Sequence, residues 1–367
     1  MAPVALPTKR ELIRTAETLL IAAVGGVGFT LAGFPAGLIS GSLVSVAAAA
    51  LVGRPVMIPL PLSRVISVLV GISLGAVVTP ETLKGLAAFP LSIAVLAAAT
   101  LCMILATASY LRFVHGWDAQ SALFGASPGA LAQVMVLSAE YQCDLRAIAI
   151  VQTMHVVVLT IGIPTGLALF GLTASGGFML RLGSGTDSPV ELAVLVAVST
   201  VAAFLVWRMR LPGGLMFGAM LGSGILHGGG LLSAALPWWV ASAAVIGIGA
   251  VTGSRFANTD PRTLLRFLGA ALGSFAVAIS IASLFVLLLT TLLSIRVADA
   301  VVAFAPGAQD SMMVLALSLH LDPIYVGAHH LSRFLLVSLL VPFLAHRLRP
   351  LPPPVEGTPQ RKRLTDE

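Results

Sequence analysis

Ser127-Pro128-Gly129-Ala130 and Ala305-Pro306-Gly307-Ala308 are the two stretches on which the fold turns. The second follows the first by 178 positions. At that same offset, and without a gap, Met135-Val136-Leu137 meets Met313-Val314-Leu315, Asp144 meets Asp322 and Pro164 meets Pro342. Apolar sequences resemble one another through leucine and valine, so a shared Pro-Gly break is a far more specific coincidence. Upstream, Gly71 and Gly75 match Gly249 and Gly253, and Pro35 pairs with Pro212. Thr79-Pro80-Glu81-Thr82-Leu83 resembles Asp260-Pro261-Arg262-Thr263-Leu264 after a three-residue insertion. The chain therefore repeats itself internally.

What repeats is apolar. Of 367 residues 57% are hydrophobic and only 10% charged, against roughly 25% charged in a soluble domain. The 36 glycines suit close packing of membrane helices. Apolar stretches long enough to cross a bilayer, or nearly so, fall at about 16–33, 36–53, 62–79, 88–110, 119–138 and 145–171. The matching six fall at about 189–207, 211–229, 236–254, 265–293, 298–318 and 323–346. This divides the chain into a first membrane repeat (11–174), a Gly/Ser-rich linker (175–188), a second membrane repeat (189–346) and a disordered cytoplasmic tail (347–367). Lys9, Arg10 and Arg14 precede an apolar run that continues without a polar mature start, which predicts an uncleaved first helix. Cys102 and Cys143 form neither a disulfide framework nor a zinc site.

The breaks carry physical weight. Proline removes a backbone donor and glycine loosens a helix. Unsatisfied backbone is costly in lipid, so a broken segment must be sheltered by protein or line a polar cavity. If both broken segments turn back and the others span, with the N-terminus inside, 17 of the 21 basic residues lie on the cytoplasmic side. Only Lys84, Arg181 and Arg296 are then outside, and Arg333 stays within the membrane. Twelve full spans would instead put seven outside, among them Arg146, Arg208, Arg210 and Arg255. The positive-inside rule favours the first arrangement. Five spans per repeat is odd, so the second repeat enters the membrane inverted. The expected fold is an all-α polytopic membrane protein with two inverted repeats, about ten transmembrane helices and two broken or re-entrant segments, the layout of secondary transporters. It would sit in a bacterial inner membrane with both termini cytoplasmic. The basic charge is topological, which leaves no place for nucleic acid as a partner.

Candidate site residues gather at the breaks. Asp310 alone among the acids lies well inside a predicted segment, flanked by Gln309 and Ser311 just after Pro306-Gly307. Half-helix ends at such breaks offer free N–H or C=O groups to a ligand; alternatively, Asp310 caps the half-helix after the break. Arg333 stands near mid-bilayer, where burial on a lone helix costs about 2.5–3.5 kcal/mol, so it should face protein or water. His329 and His330 lie on its side of the helix. Arg333 either serves a ligand or ties down carbonyls at the broken segment, and the histidines either join it or are packing residues. The repeat puts Gln152 at the place of His330 and His155 at that of Arg333, while Pro128, Gly129 and Gln133 mirror the second break. No phosphate-binding loop, HExxH or metal cluster is present in the sequence, so no cofactor is expected. A membrane oxygenase would need clustered histidine and carboxylate ligands, which are missing, so no enzyme is expected.

Pro306-Gly307-Ala308, Met312-Met313, Leu321-Asp322 and His329-His330-Leu331-Ser332-Arg333, with the echo from Pro128, resemble the AbrB-like membrane protein family over about 11–346. That family carries a Pro-Gly-Gly start, an acid at the position of Gln133 or near Ser311, and an arginine in both repeats. Here Ala130 and Ala308 replace the second glycine, Gln133 is neutral, Asp310 is the acid one place early and His155 stands for the first arginine. The resemblance implies that the second repeat carries more of the function. It also brings the label of a regulator of gene expression. Two readings follow. One is a transporter or exporter of a small organic anion or zwitterion coupled to H⁺ or Na⁺; the other is a membrane-embedded sensor or regulator. Either is compatible with a homo-oligomer.

Overall fold

Aspartate starts four of the helices that frame the molecule. Asp118, Asp144, Asp260 and Asp322 each stand one residue before a helix and accept hydrogen bonds from its first free amides. Pro261 and Pro323 follow two of them, at the position where a missing N–H costs nothing. The computed structural model describes residues 8–78, 89–128, 131–172, 188–210, 213–257 and 259–348, with backbone only at 131–133 and 136. All regular structure among the described residues is helical. The expected linker and tail, and Lys84 and Arg181, lie outside the described residues apart from the ends at Ser188 and 347–348.

Among the described residues the helices come in two runs of seven. The first is α1 (Lys9–Leu31), α2 (Gly37–Leu51), α3 (Leu60–Gly75), α4 (Phe89–His115), α5 (Ala119–Ala126), α6 (Leu131–Glu140) and α7 (Leu145–Leu169). The second is α8 (Pro189–Arg208), α9 (Gly214–Gly228), α10 (Trp238–Gly253), α11 (Pro261–Leu292), α12 (Val297–Phe304), α13 (Gln309–Ser318) and α14 (Pro323–Arg347). A short 3₁₀ turn, Ser254–Phe256, follows α10. Second, third, fifth, sixth and seventh members agree in length to the residue, at 15, 16, 8, 10 and 25 residues. Left-handed backbone recurs as well: Gly33 pairs with Arg210, Ala36 with Gly213, Gly53 with Gly230 and Gln142 with His320. Ala36, Gln142, Arg210 and His320 hold positive φ without being glycine, so the turn has outlasted the residue that suits it best.

The two runs pack reciprocally. α3 lies on α9 and α10 on α2, while α4 lies directly on α11. Glycines set the first two approaches. A Cβ on Gly71 would collide with the Met216 carbonyl and the Ala219 methyl; one on Gly249 would collide with the Ile39 carbonyl and Ser42. Gly75 meets Met220 and Ser223 as Gly253 meets Leu43 and Val46. Residue for residue these are the same contacts with the roles of the two runs exchanged, the pattern of a two-fold relation.

Both Pro-Gly segments are broken into two short helices, and each doubles back. In the second, the Asp322 amide at the exit donates to Asp299 at the entrance, at 2.8 Å. In the first, the Asp144 amide donates to Ser121 Oγ at 3.2 Å, at the equivalent positions. Arms of 8 and 10 residues reach about 12–15 Å, half of a hydrocarbon core roughly 30 Å thick. The expectation that left re-entrant and discontinuous forms open is thus decided for the hairpin. The second hairpin is sheathed on all sides: Phe304 and Met312 through Ala316 are fully buried.

Among the described residues, seven helices are long and apolar enough to cross a membrane, and α2, α3 and α9 are shorter apolar helices. Leu31, Leu284 and Leu339 are among the large apolar side chains exposed on the outer surface, a surface that suits lipid. The chain is a multi-pass helical membrane protein.

Candidate functional site

Hydrogen bonds hold open the break in each hairpin. On α7, Gln152 Nε2 donates to the carbonyls of Phe124 (2.8 Å) and Ser127 (3.1 Å). On α14 two residues share that task. His330 Nε2 donates to Val302 O at 3.0 Å, and Arg333 Nη1 donates to Ala305 O at 2.7 Å and Phe304 O at 3.3 Å. Val302 and Ala305 are the counterparts of Phe124 and Ser127, so the two units satisfy the same exposed carbonyls with different chemistry. Arg333 Nη2 also donates to Nδ1 of His330.

The two hairpin tips then face each other across one cavity of about 590 Å³, within the usual range for a small-molecule site. Ser127 and Pro128 form one lip, and Pro306, Gly307, Ala308, Gln309 and Asp310 the other. Thr107 of α4, Gln152 and His155 of α7, and Phe334 and Ser338 of α14 complete the walls. From the second unit come Arg210 and Gly213, before α9, and Arg255 in the 3₁₀ turn after α10.

The polar groups here are poorly satisfied compared with the rest of the interior. Among the described residues, seven buried side-chain atoms lack a hydrogen-bond partner, and three belong to this cavity: Thr107 Oγ1, Arg255 Nη1 and Gln309 Nε2. Such atoms are rare in native interiors and call for an explanation, a bound ligand being one. Gln309 is the first residue of α13, and the helix has no side-chain cap at Ala308. Its free amides and partial positive charge therefore open toward the cavity. Gly213 makes room for the Gln309 amide, since a Cβ there would collide with it. Asp310 and Arg255 interact electrostatically.

Of the residues singled out from sequence, Pro128, Gln152, His155, Pro306, Gly307, Gln309 and Asp310 line this cavity. Ser311 lies behind the lip, 3.5 Å from Thr252 Oγ1 on α10. His155 is a wall residue whose Nε2 donates to Ala271 O at 3.0 Å, near Ser274 Oγ. His329 is engaged by Ser92 Oγ and Tyr325 O, both at 2.7 Å. His330 and Arg333 do not line the cavity. Arg333 is 1% exposed and its guanidinium is spent on carbonyls and His330. The expected placement of Arg333 beside Asp310 in one cavity is therefore corrected: the second hairpin draws Arg333 away. The capping alternative for Asp310 also fails, as α13 has no side-chain cap. Gly129 and the side chain of Gln133 lie outside the described residues. Arg255, Arg210 and Thr107 were not marked by sequence.

A family model described as "Transition state regulatory protein AbrB" matches residues 38–349. The Bacillus subtilis protein YhjN is 24% identical over 363 residues, 92% of this chain and 94% of its own length. The Escherichia coli protein named "Putative regulator AbrB" is 24% identical over 331 residues, 87% of this chain and 92% of its own. The chain belongs to the AbrB family.

Proposed function

We propose that this protein is a secondary transporter or exporter of a small organic anion or zwitterion, working through the cavity between the hairpin tips. The observation that carries the reading is the meeting of two half-depth hairpins, one from each run, in one cavity with opposite charges and unpartnered donors. Broken helices meeting at the midplane between repeats of opposite orientation form the site of many transporters. In this reading the two runs are inverted, five spans each. The membrane is the bacterial inner one, and both termini face the cytoplasm. Arg255, always charged and forked, replaces Arg333 as the group that attracts a carboxylate. Asp310 takes a cation in the site: a coupling H⁺ or Na⁺, or the ligand's own ammonium.

The test starts with metabolite profiling of a deletion strain against an overexpressing one, then measures flux of the metabolites so found into vesicles holding purified protein. Protein-dependent flux that responds to an imposed H⁺ or Na⁺ gradient and is lost in Arg255→Gln is the expected result. Wild-type flux in a folded Arg255→Gln protein would refute the site. The names of the family and of its Escherichia coli member support a second reading, a membrane-embedded regulator. That reading predicts altered transcripts with unchanged metabolite pools and no flux. Under the transport reading, any effect on gene expression follows from the altered pool.

A further inference from the structure

Arg255 and Asp310 line the same cavity and feel each other's charge, yet they form no ion pair; the salt bridge seen among the described residues joins Arg296 to Asp299, at the mouth of the second hairpin. Two opposite charges in a partly dry site, held apart, leave each without its natural counter-ion. The same cavity walls hold two buried donors without partners, Arg255 Nη1 and Gln309 Nε2, and the uncapped start of α13. Gln309 is 6% exposed, and its Nε2 sits against Gly213 at the edge of the cavity.

We propose that the cavity binds a small zwitterion of the amino-acid type, its carboxylate held by Arg255 and the Gln309 amide and its ammonium held by Asp310. A bare carboxylate would satisfy the donors and strand Asp310. A bare amine would satisfy Asp310 and strand Arg255. A zwitterion completes both, and its zero net charge matches the pair. Thr107 also lines the cavity, with a buried hydroxyl that has no hydrogen-bond partner. Arg210 is exposed at the rim, where its field draws a carboxylate inward. The first unit holds leucine and alanine at Leu131 and Ala132, where the second holds Gln309 and Asp310, and valine at Val77, where the second holds Arg255. The charged site is therefore built from one unit only.

This assignment names the ligand of the cavity on which the transport reading rests, and a binding assay separates the two. Purified protein in lipid nanodiscs is titrated with the standard amino acids. Each is set beside its carboxylate-only and amine-only analogue, such as L-alanine beside propionate and ethylamine. At least one amino acid should bind about tenfold or more tighter than both of its analogues. Arg255→Gln should abolish binding of zwitterion and carboxylate alike. Asp310→Asn should weaken the zwitterion about tenfold and bring it level with its carboxylate analogue. Unfolding curves on the same samples verify that each variant is folded, and Arg255→Lys serves where Arg255→Gln is not. Equal affinity for an amino acid and its carboxylate analogue, or no amino acid binding at all, overturns the proposal. Binding without vesicle flux overturns transport alone, whereas flux of a carboxylate lacking an amino group overturns the zwitterion and leaves transport standing.

Discussion

At the residue scale the decisive contrast is between Arg333 and Arg255. Depth in the membrane makes Arg333 conspicuous in sequence, but depth does not say which neighbour satisfies the charge. The structure gives it the carbonyls of Phe304 and Ala305. Hydropathy places Arg255 just past the end of its segment, among the loop charges, and the 3₁₀ turn carries it back to the cavity. The overlooked signal is the asymmetry of the repeat, an arginine where the first unit has Val77. The two arginines should therefore fail differently. Arg333→Met leaves buried carbonyls unsatisfied at about 1–3 kcal/mol each. It should clearly lower the unfolding temperature in detergent. Arg255→Met removes a charge whose Nη1 has no partner, so stability should hold or rise while ligand binding is lost. The reverse pattern in paired melting and binding experiments would return the ligand to Arg333.

At the scale of elements, the sequence shows the breaks but not their partners. Pro128-Gly129 and Pro306-Gly307 announce interrupted helices, and the charge count favours their turning back, because lipid leaves little freedom to unsatisfied backbone. What remains hidden is how runs fit together. Gly71, Gly75, Gly249 and Gly253 align in the repeat, yet nothing local says that the first two press on α9 and the last two on α2. Close helix approach is a property of two surfaces, and only one of them is adjacent in sequence. The reciprocity makes a prediction: Gly71→Leu and Gly249→Leu should destabilise by similar amounts, at least ~1–3 kcal/mol, because each forces a side chain into a partner's backbone. Gly162→Leu, with open space around its Cβ position, should leave the melting temperature within a degree or two of wild type, a shift of ~0.5 kcal/mol or less. Equal effects at all three positions would mean that the α3–α9 and α2–α10 contacts do not hold the runs together.

At the scale of the whole molecule, the proposed transporter requires that one helical unit occur twice in opposite orientations, its two hairpins entering from opposite faces to meet in the middle. Gln142 and His320 are the cleanest reporters of this. They occupy equivalent turns at the exits of the two hairpins, share a left-handed backbone and are both exposed. In a background with Cys102 and Cys143 replaced by serine, single cysteines at these two positions are reacted in intact cells with a thiol reagent that cannot cross the membrane. With inverted units, His320→Cys labels from outside and Gln142→Cys labels only after the membrane is permeabilised. Labelling of both positions from the same side, as twelve full spans or two parallel units would give, would contradict the inversion.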